Sequence, residues 1–144
     1  MRLLAVGSFL FLAFAAGCSN KLGEELAKDQ PNGRATMFHT EAVDAATAAK
    51  VFGAMLEVNY NFAANLPEQI DRVQGRLTLR LGNDNEQTIA AVIQNGDKES
   101  VIRYFEGLAQ AVSKAIGNEP VDIVLCRTSL DEPFHTVVWP SQPK

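Results

Sequence analysis

A change of hydrophobic period constrains the fold of this chain more than any other feature. Between Arg72 and Leu81 apolar or small residues occupy every second position, and polar residues occupy the positions between them. This two-residue period predicts a strand with one buried face and one polar face. The inward positions are Val73, Gly75, Leu77, Leu79 and Leu81, and the outward ones are Arg72, Gln74, Arg76, Thr78 and Arg80.

Two segments with a helical period lie on either side of this strand. The first is capped by Thr40 or Asp44 and ended by Asn65 and Pro67, with apolar side chains at Val43, Thr47, Val51, Phe52, Met55, Val58 and Phe62. The second opens at Gly96 and Asp97 and closes at Gly117, with a stripe at Val101, Phe105, Leu108, Val112, Ala115 and Ile116.

Four further segments are predicted to be strands. "EQTIAAVIQ" returns after a "GNDN" turn, and pairing Gly82 with Glu86 places its isoleucines beside the leucines of the preceding strand. "VDIVLCRT" and "FHTVVW" follow the second helix. "ATMFHT", at 35–40, is short and apolar enough for an extra edge strand.

These elements predict a single α+β domain over residues 35–140, with a disordered tail at 141–144. The predicted order is αββαββ. Segregated helices and strands favour a two-layer architecture, in which a four-stranded antiparallel sheet carries both helices on one face. The other face of the sheet would then be open.

The N-terminal leader indicates where the protein resides. Arg2 precedes an apolar run, Leu3 to Ala16, that is shorter than the roughly 20 residues a membrane-spanning helix needs. Small residues then precede a cysteine, and Ala15-Ala16-Gly17-Cys18 resembles the lipobox of bacterial lipoproteins, although Ala15 replaces the commoner Leu.

The resemblance implies removal of residues 1–17 and acylation of Cys18 on sulfur and nitrogen. Two or more acyl chains hold a protein stably in a membrane, whereas one does so only marginally. Residues 18–34 are polar and predict a flexible tether. Ser19 after the cysteine implies anchoring in the outer membrane, facing the periplasm, where the source has one.

Composition limits the classes of partner and chemistry. The chain has a net charge of -4, which argues against nucleic acid because phosphate binding needs clustered Lys and Arg. Its two cysteines are Cys18 and Cys126, so an acylated Cys18 leaves Cys126 either as a buried small side chain or as a reactive thiol.

The open face of the predicted sheet is the candidate binding surface. It would carry an apolar patch rimmed by arginines, suited to a protein or an anionic ligand. The alternative is that the tether or an oligomeric partner covers the apolar part while the arginines are merely solvated. The tryptophan would then belong to the core or cover the sheet edge. The predicted partner-binding residues are Arg72, Arg76, Arg80, Val124 and Trp139.

No motif predicts catalysis, a metal or a cofactor. The chain contains no GxSxG, P-loop, GxGxxG or paired-cysteine motif, and His39 and His135 lack metal-ligand spacing. The sequence therefore predicts a non-catalytic, membrane-anchored protein-binding or assembly module. The alternative is a lipid-anchored carrier that holds a small apolar or anionic molecule between helices and sheet.

Overall fold

The computed structural model describes residues 22–31, 33–62, 66–82, 90 and 98–141. Within these residues three β-hairpins follow one another along the chain, connected by two helices. The strands are β1 (Glu24–Gln30), β2 (Gly33–His39), β3 (Glu68–Val73), β4 (Arg76–Gly82), β5 (Val121–Cys126) and β6 (Pro133–Trp139). The helices are α1 (Ala45–Glu57) and α2 (Lys98–Ala115).

The six strands form one mixed sheet in the order β1-β2-β3-β4-β5-β6. Each hairpin is antiparallel, whereas β2 with β3 and β4 with β5 are parallel pairs. The parallel pairs arise because a helix carries the chain back between them. The predicted four-stranded antiparallel sheet and the order αββαββ are therefore wrong, although the class remains α+β.

A tight turn explains the error. Gln74 and Gly75 both lie in the left-handed region, with φ angles of 52° and 77°. Positive φ at both central residues is typical of a two-residue type I′ hairpin. The alternating stretch from Arg72 to Leu81 is therefore parts of two strands, β3 and β4.

The strand predicted for "EQTIAAVIQ" has no place beside β4, because β3 and β5 occupy both sides of that strand. Most of this segment lies outside the described residues, and Ala90, its one described residue, has helical backbone.

The core lies between one face of the sheet and the two helices. Ile70, Leu79 and Ile123 stand side by side in neighbouring strands and are fully buried. Both helices pack on this face and contact each other. They contribute Ala48, Val51, Phe52, Met55, Phe105, Leu108, Ala109 and Val112 to the core.

The predicted helix ends are only partly right. Asp44 is the N-cap of α1, where its carboxylate accepts a 2.9 Å hydrogen bond from the backbone N–H of Thr47. The helix ends at Glu57, short of the predicted Asn65, and Asn59 then takes a left-handed φ of 54°. Gly117 follows α2 with a φ of 82°, as predicted.

The N-terminal part of the domain differs from the predicted tether of residues 18–34. Glu24–Gln30 forms β1, and the predicted edge strand at 35–40 is β2, which lies between β1 and β3. The predictions for the leader, the cleavage site and Cys18 fall outside the described residues, as does most of the tail. Among the described helices, none is long and apolar enough to cross a membrane.

Candidate functional site

One face of the sheet carries no described helix, and we call it the open face. The register places Arg76, Arg80 and Val124 on this face, opposite the buried leucines of β4. Arg80 and Val124 are directly opposite each other on β4 and β5. The structure thus brings together three of the five residues predicted to bind a partner.

Arg72 and Trp139 lie on the other face. Arg72 is paired with Leu77 across the turn, and cross-strand partners lie on the same face of the sheet. Arg72 is therefore on the core face, opposite to the face that carries Arg76. Its Nη1 lies 2.9 Å from the Glu119 carboxylate. Trp139 is paired with Val121 and packs against the core, which corresponds to the alternative interpretation of this tryptophan.

Arg76 is held by a bidentate ion pair with Asp122. Its Nε and Nη2 atoms each donate a 2.8 Å hydrogen bond to one oxygen of that carboxylate. The paired carboxylate raises the pKa of Arg76 above its already high ordinary value. Both donors aimed at Asp122 are therefore engaged within the sheet.

Arg80 makes a looser contact than Arg76. Its Nη2 lies 3.9 Å from Oδ2 of Asp71, beyond hydrogen-bond distance. The other oxygen of Asp71 is held by the Thr40 hydroxyl at 2.6 Å and by the backbone N–H of Arg72 at 2.8 Å. The Asp71 carboxylate is thus fixed in place, whereas no described residue accepts a hydrogen bond from the Arg80 guanidinium.

A cleft of about 450 Å³ opens beside Arg80, at the end of the open face. We call it the Arg80 cleft, and it is lined by Leu22, Thr40, Pro67, Gln69, Asp71, Arg80, Thr128, Ser129, Leu130 and Asp131. At its rim Gln69 donates a 3.0 Å hydrogen bond to the Leu22 carbonyl. One arginine, two carboxylates and several hydroxyl or amide groups suit a polar, hydrogen-bonding partner such as a peptide segment.

Cys126 lies buried behind this face and is poorly suited to reactivity. Its Sγ is 3.6 Å from the carbonyl oxygens of Val124 and Leu130. Burial raises the pKa of the thiol, and the thiolate is the nucleophilic form. The structure therefore favours the first of the two roles predicted for Cys126, a buried small side chain.

The two histidines lie on separate strands, β2 and β6, which are not neighbours in the sheet. His39 is buried, with Nδ1 3.0 Å from the Val43 carbonyl and Nε2 3.5 Å from a Glu24 oxygen. His135 is half-buried, and burial together with nearby Lys98 lowers its pKa. The described residues contain no cluster of three His, Cys, Asp or Glu side chains able to hold a metal.

A buried carboxylate in the core was not predicted. The Glu68 side chain is 1% exposed and lies on the core face of β3, opposite Leu81. The Tyr60 hydroxyl donates a 2.6 Å hydrogen bond to it. Glu68 and Ile70 are two residues apart on β3, so alternation places both side chains on the core face. The sequence would have predicted a buried Glu68 if β3 had been predicted as a separate strand.

No protein-family model, curated protein or solved structure matches this chain. The chemistry of the open face and of the Arg80 cleft therefore carries the functional assignment. These surfaces offer hydrogen-bond donors and acceptors for recognition, and the buried Cys126 does not provide a nucleophile there.

Proposed function

We propose that this protein is a lipid-anchored, non-catalytic binding or assembly module of a bacterial cell envelope. Its open face docks a protein partner at the Arg80 cleft. The observation that carries the proposal is the position of Arg80, which lines the 450 Å³ cleft and lies beside Val124 on a sheet face that carries no described helix.

The anchor part of the proposal rests on the lipobox resemblance at Cys18. Ser19 favours the outer membrane, with the domain in the periplasm. Leu22 at the rim of the cleft follows Cys18 by four residues, which span at most about 14 Å when fully extended. An acylated Cys18 would hold this rim close to the membrane surface, where a partner in or on the same membrane could reach it.

The docking part rests on the chemistry of the open face. Arg76 with Asp122 and Arg80 with Asp71 place charges of both signs on it, and Val124 adds an apolar element. Mixed polar and apolar surfaces are typical of non-obligate protein interfaces, where charges select the partner. The partner would present complementary charges and a peptide segment that enters the cleft.

No specific observation favours the carrier alternative. A carrier would need space between helices and sheet, but side chains from both layers fill that region among the described residues. Met37, Met55, Leu79 and Val112 are each 0% exposed there. The Arg80 cleft opens at the sheet's other face.

The anchor is tested by the intact mass of the full chain purified from its native membranes. We expect a mature protein that begins at Cys18 with two or three acyl chains, and we expect Cys18→Ser to lose them. A protein that retains its leader, or that begins elsewhere without lipid, would contradict the anchor and leave the docking surface to be judged separately.

Docking is tested by a photo-crosslinking amino acid placed at Val124 in cells. We expect a discrete adduct there and none at Tyr104, which is 52% exposed on α2. Arg80→Glu should remove the adduct, whereas the matched change Arg103→Glu on α2 should leave it. Equal adducts at both positions, or indifference to Arg80→Glu, would refute docking at the open face.

A further inference from the structure

The last strand leaves one of its edges without a neighbour among the described strands. Among the described strands β6 pairs with β5 alone, so the backbone groups on its other side have no described strand as a partner. A register irregularity at Leu125 and Cys126 interrupts the start of the pairing. The regular part of the strand is therefore the segment His135 to Trp139.

The side chains along this edge carry no formal charge at neutral pH. The strand reads PFHTVVW, and burial keeps its one titratable group, His135, neutral by lowering its pKa. β-branched and aromatic residues dominate the strand, and both types favour sheet pairing. An uncharged edge strand of this kind is a template for another strand.

The opposite edge of the sheet, formed by β1, is protected against pairing with a second copy. β1 reads EELAKDQ, and six of its seven residues are exposed. If β1 paired antiparallel with itself about Ala27, Glu25 would face Asp29 at both ends of the pairing. Like charges directly opposite are destabilising, so this edge rejects a second copy.

We propose that the His135–Trp139 edge of β6 pairs antiparallel with the same edge of a second copy, so that two chains share one continuous sheet. A two-fold axis at Val137 would pair His135 with Trp139 of the second copy and Thr136 with Val138 of the second copy. No like charges meet in this register, and the same edge serves both partners, as an isologous interface requires. The inference goes beyond the proposed function and holds whether or not Cys18 is acylated.

The first test is the oligomeric state of the full chain in mild detergent, measured by native mass spectrometry at micromolar concentration. We expect a dimer for the wild type and a monomer for Thr136→Glu, which adds a charge at an exposed position of β6. The matched control Ala27→Glu, exposed on β1, should remain a dimer. A monomeric wild type, a dimeric T136E, or a complex with a different polypeptide would overturn the proposal.

The second test is disulfide capture on the purified full chain with an added oxidant, using the double variant Thr136→Cys and Val138→Cys. Residues two apart on one strand have parallel side chains, so their Cβ atoms are roughly 6.6 Å apart, beyond the roughly 3.5–4.5 Å that a disulfide needs, and they do not bridge each other. We expect covalent dimers from this pair and none from Glu25→Cys with Ala27→Cys on β1. No covalent dimer from the β6 pair would overturn the register about Val137.

Discussion

Tyr60 donates a 2.6 Å hydrogen bond to Glu68, joining the segment after α1 to a buried carboxylate on β3. Glu68 is 1% exposed, whereas an acidic side chain normally remains in water unless it is paired. The bond lies beside the aromatic contact between Tyr60 and Phe62, whose ring centroids are 5.0 Å apart. A single hydroxyl group thus helps to satisfy the most buried acid in the described core.

Tyr60→Phe should lower the free energy of unfolding by about 1–3 kcal/mol, because it removes a donor from a buried acceptor while keeping the ring. Urea denaturation of the variant and the wild type measures the difference. Tyr104→Phe, at a position that is half exposed, is the control and should cost clearly less. Equal losses would show that the Tyr60 hydroxyl has no special role.

The same pair predicts a loss of stability in alkali. Burial, aided by the negative charge of Glu68, raises the pKa of Tyr60 well above its ordinary value of 10.0. A raised folded-state pKa contributes stability that is complete below pH 10 and is lost as the pH rises toward the folded value. Urea midpoints measured from neutral to alkaline pH should fall for the wild type, and Tyr60→Phe should flatten that fall. An identical pH profile for both proteins would contradict this.

Two glycines should respond in opposite directions to the same substitution. Gly75→Ala forces a side chain into a left-handed φ of 77° and should cost about 1–2 kcal/mol. Gly53→Ala lies inside α1 and should stabilise by about 0.5–1 kcal/mol. A Cβ at either position meets nothing within 4 Å, so backbone preference alone sets the sign. Thermal melts of both variants check the prediction, and equal signs would refute the assigned turn.

The Arg76–Asp122 pair should show a modest coupling energy. We expect up to about 1 kcal/mol from a double-mutant cycle of Arg76→Gln and Asp122→Asn, because the pair is bidentate but partly solvated. The control is the Arg34–Glu25 pair, whose side chains are 62% and 48% exposed and should couple less. A larger coupling in the exposed pair would mean that the bidentate geometry adds nothing.

Cys126 should resist alkylation until the protein unfolds. Its thiol is buried, and burial raises its pKa, so the thiolate is both scarce and inaccessible at neutral pH. Iodoacetamide labelling of the native protein, followed by peptide mass spectrometry, should leave Cys126 unmodified, and labelling in urea should modify it. Rapid labelling of the native protein would restore the reactive-thiol interpretation.

The local sequence pattern was sufficient to predict those elements whose periodicity and end signals lie within one continuous segment. The stripe from Val101 to Ile116 and the glycine at 117 predicted α2 and its end. Leu77, Leu79 and Leu81 are buried as their alternation predicts. The same reasoning placed Arg76, Arg80 and Val124 on the open face, because the alternation of side chains within a strand does not depend on its neighbours.

The prediction failed at the Gln74–Gly75 turn. Counting Gly75 as an inward residue made two strands look like one, since a glycine fits either an alternating pattern or a turn. This parity error put Arg72 on the wrong face and hid Glu68. It also left no role for β3, so "EQTIAAVIQ" was paired with β4 in its place.

The sequence by itself determined which face of each recognised strand is buried and where α2 ends, and it limited the cap of α1 to Thr40 or Asp44, because these depend on periodicity and bonding among residues close along the chain. Only the tertiary structure decided that β2 lies beside β3 and β4 beside β5. Those parallel pairs are connected by long helical crossovers. The alternation of residues within one strand does not indicate which other strand will pair with it. The sheet face without a described helix, the Arg80 cleft and the edge of β6 that no described strand pairs with all follow from that choice of neighbours.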